Sequence, residues 1–200
     1  MTTKVSDGMT TGLVKTDNLA SKAPSSKSSG DEGKVVQLDS TGGIPSAYVA
    51  AGGKLLKFAT ANTTDYATTT DQIPWDNTKP QSDEGNELLT LSFTPTASDS
   101  TLVIDFSCGM ASNDTSGYGV VFALFQDSDA DAIAFAHTMN YSDWSESVCA
   151  RWVFSASSTS ARTYKIRYGS GGGRARVHGT SGQRFGGIIE TRLTITEISA

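Results

Sequence analysis

The chain has 200 residues, a formal net charge of -5 and a pI near 4.9. Charged residues make up 18% of it, below the usual quarter or so, whereas Ser, Thr and Gly are plentiful. Nucleic acids and anionic membranes attract clustered Lys and Arg, so this balance argues against both as partners. No apolar run approaches the ~18 residues of a spanning helix, and no signal-peptide pattern opens the chain, so neither membrane insertion nor signal-directed secretion is expected.

Residues 1–29 are polar, and their isolated apolar side chains follow neither a helical nor a strand period. The segment runs into the low-complexity sequence SKAPSSKSSG. Such a segment cannot bury enough apolar surface to offset the entropy lost on ordering, so we expect an extended arm that other molecules hold in place. The candidate anchoring residues are its apolar side chains: Val5, Met9, Leu13, Val14 and Leu19.

From residue 54 onward, short segments of strand character alternate with turns rich in Asp, Ser and Gly. In the segment 101–108, for example, Leu102, Ile104 and Phe106 alternate with polar residues. Short strands at this spacing, without a convincing amphipathic helix, predict an all-β fold, an antiparallel β-sandwich or jelly roll. The predicted strands span 54–60, 63–70, 87–93, 101–108, 119–125, 131–138, 147–155, 162–168, 174–178 and 189–198.

Two of these segments support more specific expectations. The sequence GVVFALF at 119–125 is continuously apolar, which predicts a strand buried on both faces, the second face being covered by a neighbouring subunit. The stretch 161–198 has two alternating runs around a Gly-rich turn, which predicts a closing β-hairpin or meander. Arg174 and Arg176 follow that turn, and we expect them in an exposed loop or subunit contact.

The sequence GDEGKVVQLDSTGGIP at 30–45 resembles a segment that recurs in bacteriophage fibre and tail proteins. There it lies between an N-terminal virion-attachment region and a C-terminal β-domain. The closing signature, RTYKIRY at 162–168, then a Gly-rich turn and FGG at 185–187 before a terminal ITEI, resembles C-terminal domains of phage structural proteins. The two resemblances together cover roughly a third of the chain.

This resemblance implies a bacteriophage fibre or virion-surface protein, a homotrimer with a C1q/TNF-like jelly-roll domain. The implied organisation is an attachment arm at 1–29, a linker at 30–53 and a β-sandwich at 54–200. The arm would bind other virion proteins of the head or tail after assembly in the host cytoplasm. Displayed on the virion surface, the β-domain would attach to a host-surface glycan or protein. The alternative is a capsid decoration or head-fibre protein anchored to the shell by the arm.

The candidate receptor contacts are the aromatic residues of polar loops, Trp75, Tyr141 and Trp144. Amphipathic aromatic rings in such loops stack on sugars or form the centres of protein interfaces. The competing interpretation, given equal weight, is that each ring packs against the edge of a strand.

Candidates for chemistry are few. Asp143 and Glu146 flank Trp144 and form the best local carboxylate pair for a glycan-cleaving tail enzyme, but solvated loop carboxylates are the favoured interpretation. His137 and His178 have no triad or zinc spacing, and both are interpreted as satisfied structural histidines. We therefore expect no catalytic activity and no cofactor.

Cys108 and Cys149 both lie in apolar strand segments, and two buried free thiols are favoured over a disulfide. Asp127, Asp129 and Asp131 resemble part of a calcium loop, yet they lack its Gly and its closing Glu. An acidic hairpin turn is favoured there, and a weak surface cation site stays open as the alternative.

Overall fold

The computed structural model describes residues 53–139 and 144–200, and all structural statements below concern these residues. The predicted arm and its anchoring residues Val5, Met9, Leu13, Val14 and Leu19 lie outside them, as do residues 30–52 of the linker. The domain boundaries at 29/30 and 53/54 therefore stay predictions. Within the part of the chain that the structure describes, no helix is long and apolar enough to cross a bilayer.

Ten strands and one short 3-10 turn at Phe185–Gly187 make up the regular structure of the described residues. The strands are β1 (Leu55–Thr63), β2 (Ala67–Thr69), β3 (Asn86–Phe93), β4 (Thr101–Asn113), β5 (Val120–Gln126), β6 (Ala134–His137), β7 (Ser145–Ser155), β8 (Arg162–Ser170), β9 (Ala175–Val177) and β10 (Thr191–Ile198). The period-2 segments of the sequence thus form strands close to where they were predicted.

The eight longer strands pair in a nested order along the sequence: the first pairs with the last, the second with the second last, and so on inward. β1 pairs with β10, β3 with β8, β4 with β7 and β5 with β6, every pair antiparallel. Further ladders join these pairs into two sheets: sheet A, in the order β1-β10-β4-β7, and sheet B, in the order β3-β8-β5-β6. The short strands β9 and β2 extend sheet A alongside the Asn113 end of β4, where β9 pairs with Ala111–Asn113. The predicted antiparallel β-sandwich of jelly-roll type is confirmed.

The main core lies between the two sheets. Alternate side chains of β4 and β10 face those of β5 and β8, as the pleat of each strand requires. Its largest fully buried apolar side chains include Phe93, Phe106, Phe122, Leu102, Ile104, Leu124, Ile166, Leu193 and Ile195. This packing fixes the register of both sheets, because a slip of one residue would turn every apolar side chain outward.

β5 is buried on both faces, as its apolar sequence predicts, but its outer face is covered by the chain itself. The loop 71–85 crosses sheet B there, and Ile73 lies in a second apolar cluster with Val121, Ala123, Phe125 and Ala132. The expectation that a neighbouring subunit covers this strand is therefore wrong. A single chain can cover the outer face of β5, because the long loop places the apolar side chain of Ile73 against it.

The stretch 161–198 does not form a closing hairpin. β8 lies in sheet B between β3 and β5, whereas β10 lies in sheet A between β1 and β4. Their inward residues meet across the core rather than along a shared ladder: Tyr164 and Ile166 belong to one wall, Leu193 and Ile195 to the other. Two strands with alternating apolar residues are compatible with a shared hairpin or with separate sheets, and the nested pairing places them in separate sheets.

Candidate functional site

The loop 71–85 is held firmly on the outer face of sheet B. The backbone N–H of Ile73 donates to Ser170 O at 3.2 Å, and that of Ala132 donates to Pro80 O at 2.9 Å. At the far end, the Arg167 guanidinium donates to the carbonyls of Glu84 and Gly85 at 2.7 and 2.6 Å. A loop tied down at both ends presents its exposed side chains in one geometry.

Four aromatic rings meet beside this loop. Trp75 contacts Tyr118 edge-on, with centroids 6.2 Å apart and planes at 74°. It contacts His137 in the same manner on another side, at 5.9 Å and 87°. Phe135 lies 6.0 Å from His137 at the other end of the row. The indole is thus fixed between two rings, while 44% of Trp75 and 57% of Phe135 are exposed.

Two glycines make room for these rings. A Cβ on Gly171 would lie 2.8 Å from Cδ1 of Trp75, and a Cβ on Gly172 would lie 2.8 Å from Cε2 of Tyr118. Both distances are shorter than van der Waals contact, so any other residue would displace the rings. The Gly-rich turn after β8 is therefore a support for the aromatic side chains.

Trp75, Phe135 and His137 line an open groove of about 330 Å³, called the aromatic groove below. Its other lining residues are Ile73, Pro74, Asp76, Thr78, Pro80 and Val121. This volume lies at the lower end of the ~300–1,000 Å³ typical of small-ligand sites, which combine apolar walls with a few placed polar groups.

The placed polar groups are an acid, an imidazole and an indole N–H. Asp76 Oδ1 accepts hydrogen bonds from the backbone N–H and the hydroxyl of Thr78, at 2.7 and 2.5 Å. These bonds lower the pKa of Asp76 below its usual value, the side-chain bond being the larger cause. Its Oδ2 accepts no hydrogen bond from the described residues, and the His137 ring nitrogens and Trp75 Nε1 also make none with them. Asp76, His137 and Trp75 are all exposed, so a ligand in the groove can reach these side chains.

Of the three predicted receptor contacts, the structure places one in the aromatic groove. Trp75 forms its wall. Trp144 is 73% exposed just before β7 and is not among the lining residues. Tyr141 lies outside the described residues, and the assignment of all three as contacts stays a prediction.

Sequence reasoning missed Phe135 and His137. His137 was interpreted as a satisfied structural histidine, but it is an exposed side chain of the groove. The signal was present in the alternation of β6: buried Ala136 faces inward, which turns both neighbours outward. Tyr118 gave no comparable signal, because its contact with Trp75 joins distant parts of the chain.

The remaining candidate residues have structural partners. His178 is fully buried, with Nδ1 2.7 Å from Asp65 O and Nε2 2.8 Å from Thr191 Oγ1, which fits a satisfied structural histidine. Glu146 Oε2 accepts from Met139 N at 3.1 Å, whereas Asp143 lies outside the described residues. Arg176 is buried beside Asp114, 3.1 Å away, so the expectation that it lies in an exposed loop is wrong.

Asp127 and Asp131 in the acidic turn have partners within the chain. Asp127 Oδ1 accepts from Thr163 N at 2.7 Å, and Asp131 accepts from Gln81 Nε2 at 2.9 Å. Lys79 also approaches Asp131 at 3.9 Å. Among the described residues, no group of three or more His, Cys, Asp or Glu side chains is placed to hold a metal ion.

The two cysteines are free and lie on opposite faces of sheet A. Cys149 pairs in register with Ser107, one residue from Cys108, so the pleat sends the two thiols in opposite directions. Cys108 is buried as predicted, but Cys149 is exposed, which corrects the expectation of two buried thiols.

No family model and no curated protein matches this sequence. Among solved structures, the chain is similar to that of the infectious bursal disease virus Gx strain, with 12% identity and a TM-score of 0.35. It is also similar to the VP2 subviral particle of infectious bursal disease virus, with 9% identity and a TM-score of 0.33. Each match covers 72% of this chain but only 37% and 39% of the viral chains. At these scores the likeness carries no functional conclusion for this chain.

Proposed function

We propose that this chain is a bacteriophage virion structural protein, a trimeric fibre that displays its jelly roll for attachment to a host surface. The arm at 1–29 binds other virion proteins, and the β-domain projects from the virion surface. The bacteriophage assignment rests on the sequence resemblance at 30–45 and 162–198.

The attachment role rests on one observation, the aromatic groove. Exposed aromatic side chains backed by a packed sheet and by fixed edge contacts are the features of a binding surface. The core does not need the Trp75 ring, because the neighbouring Ile73 already covers β5. The ring positions therefore suit a partner in solution.

Self-association is supported by the outer face of sheet A. One row of side chains crosses all four strands: Phe58 lies opposite Thr196, Thr196 opposite Val103, and Val103 opposite Val153. Phe58 and Val153, at its two ends, are each 61% exposed. A mainly apolar row of this kind, with Thr196 as its one polar member, suits contact with further copies of the chain.

The test of attachment uses the full chain, labelled at its N-terminus, on a panel of Gram-positive and Gram-negative bacteria. Saturable binding to at least one surface is expected, and Trp75→Ala should weaken it by about tenfold, the effect of removing a central interface aromatic. Phe185→Ala is the matched control, because Phe185 is an exposed aromatic residue outside the aromatic groove. It should bind as the unchanged chain does.

Two other outcomes would overturn attachment. If no surface is bound while deletion of residues 1–29 abolishes incorporation into particles, the chain is a capsid decoration or head-fibre protein. If the chain releases reducing ends from host polysaccharide and Glu146→Gln abolishes the release, it is a glycan-cleaving enzyme.

A further inference from the structure

We propose that the aromatic groove binds a short, neutral saccharide unit, whose ring lies on Trp75 and whose hydroxyl groups bond to Asp76 and His137. This inference rests on the proposed attachment function and names the chemical class of its ligand. Trp75 is the one residue of this groove that the sequence analysis proposed as a receptor contact. The inference adds Phe135, His137 and Asp76 to it.

The walls suit a sugar ring because they are flat, exposed and fixed. The C–H bonds on one face of a pyranose carry a small positive charge, which the negative face of an aromatic ring attracts. Trp75 is held by Tyr118 and His137 before any ligand arrives, so little side-chain entropy is lost on binding. The groove's volume of about 330 Å³ has room for a sugar ring rather than a long segment of chain.

The polar groups suit hydroxyls. Oδ2 of Asp76 accepts hydrogen bonds, Nε1 of Trp75 donates one, and the His137 imidazole does either according to its tautomer. Thr78 orients the carboxylate through two hydrogen bonds, which fixes where its second oxygen points. A ligand that both donates and accepts around an apolar face matches this set, and polyhydroxylated rings have that character.

The negative charge of the groove favours a neutral saccharide over an acidic one. Asp76 is the one carboxylate among the described lining residues, and its hydrogen bonds keep it ionised. A uronic or sialic acid would bring a second negative charge close to it, and repulsion between the like charges would weaken binding. The groove should therefore discriminate against acidic sugars.

The experiment measures binding of the full chain to immobilised neutral hexose, hexosamine and deoxyhexose disaccharides, each beside its uronic-acid counterpart. Free disaccharides that score are then titrated against tryptophan fluorescence. At least one neutral disaccharide should bind more tightly than its acidic counterpart. Trp75→Ala should weaken that binding by about tenfold, and Phe185→Ala should leave it unchanged.

Asp76→Asn tests the charge argument directly. It keeps the size and one acceptor oxygen of the side chain, so it should reduce the preference for neutral over acidic sugars while the melting temperature stays the same. An unchanged preference would overturn the role of Asp76 in selectivity.

The outcomes separate this inference from the function on which it rests. If the chain binds bacteria through Trp75 but no neutral disaccharide on the panel, the saccharide assignment is wrong and attachment stands. If acidic sugars bind as tightly as neutral ones, the neutrality is wrong. If no cell surface is bound at all, the proposed function itself fails.

Discussion

The carboxylate of Glu197 is buried against the turn between β3 and β4, 2.7 Å from the hydroxyl of Ser100. It also accepts from the backbone N–H groups of Thr96, at 2.7 and 2.9 Å, and Ala97, at 3.0 Å. The buried acid thus holds the turn between β3 and β4, and the donors of that turn compensate the cost of removing its charge from water.

Glu197→Gln should destabilise the fold by about 1–3 kcal/mol at neutral pH, because an amide accepts fewer hydrogen bonds than a carboxylate and leaves buried N–H groups unsatisfied. Urea unfolding measures the change. The matched control is Glu190→Gln, whose carboxylate forms a more exposed ion pair with Arg192 and should contribute less than about 1 kcal/mol. Equal effects of the two substitutions would contradict this role of Glu197.

The same acid predicts a pH dependence. Burial raises the pKa of Glu197, but the hydrogen bonds from Ser100, Ala97 and Thr96 lower it more, so the native pKa is below the ordinary 4.5. The unfolded chain therefore binds the proton first as the pH falls, and the stabilisation present above 4.5 is lost toward the native pKa. The difference in unfolding free energy between the unchanged chain and Glu197→Gln should shrink in acid.

Tyr168 should make stability depend on pH in the alkaline range. Burial, with smaller effects of Tyr66 and Asp71, raises its pKa from 10.0 to about 12. The native state keeps this proton where the unfolded chain loses it, so stability present below pH 10 declines as the pH rises toward 12. Urea unfolding across this range should show the loss, and Tyr168→Phe should reduce it. An unchanged decline in the variant would assign the loss to other groups.

Two glycines should respond to alanine in different ways. At Gly119 a Cβ would lie 1.5 Å from the carbonyl oxygen of Thr138, so Gly119→Ala must separate β5 from the end of β6 and lower the melting temperature strongly. At Gly171 the nearest atom belongs to the Trp75 side chain, which can shift. Gly171→Ala should alter the fluorescence of Trp75 and weaken groove binding, with a small change in melting temperature.

The thiols should label unequally. Cys149 is exposed, whereas Cys108 is 1% exposed and burial raises its pKa, which disfavours the reactive thiolate. Under non-reducing conditions, maleimide should add once to the native chain and twice in denaturant, as read by intact mass. Cys149→Ser should abolish the native adduct. Absence of any adduct in denaturant would indicate a disulfide.

The outer row of sheet A predicts the effect of a charge on assembly. Val153→Asp places a carboxylate in the proposed contact between copies, so the trimer expected from light scattering at micromolar concentration should dissociate. Val153→Thr keeps the branched shape and strand propensity and should dissociate it less. A monomeric unchanged chain would contradict the trimer itself.

The positions of the strands follow from local alternation, but their partners do not. Leu102, Ile104 and Phe106 mark β4 without indicating that it continues to Asn113, where β9 rather than β10 pairs with it. Trp75 could be singled out because an aromatic residue in a polar loop is conspicuous. The alternation of β6 marks Phe135 and His137 as outward-facing, but it does not bring them to Trp75. The groove exists only where a loop, a strand and a Gly-rich turn meet in three dimensions.

The nested pairing also constrains how the domain is made. β10 is the last of the described strands, and it fills the place between β1 and β4 near the centre of sheet A. Until it leaves the ribosome, β1 lacks its described ladder partner and the core stays open on that side. Sheet A can therefore be completed only after synthesis has passed Ile198, and the edges of the earlier strands stay unpaired until then. Protection by chaperones, or assembly soon after release, would meet a need that this topology creates.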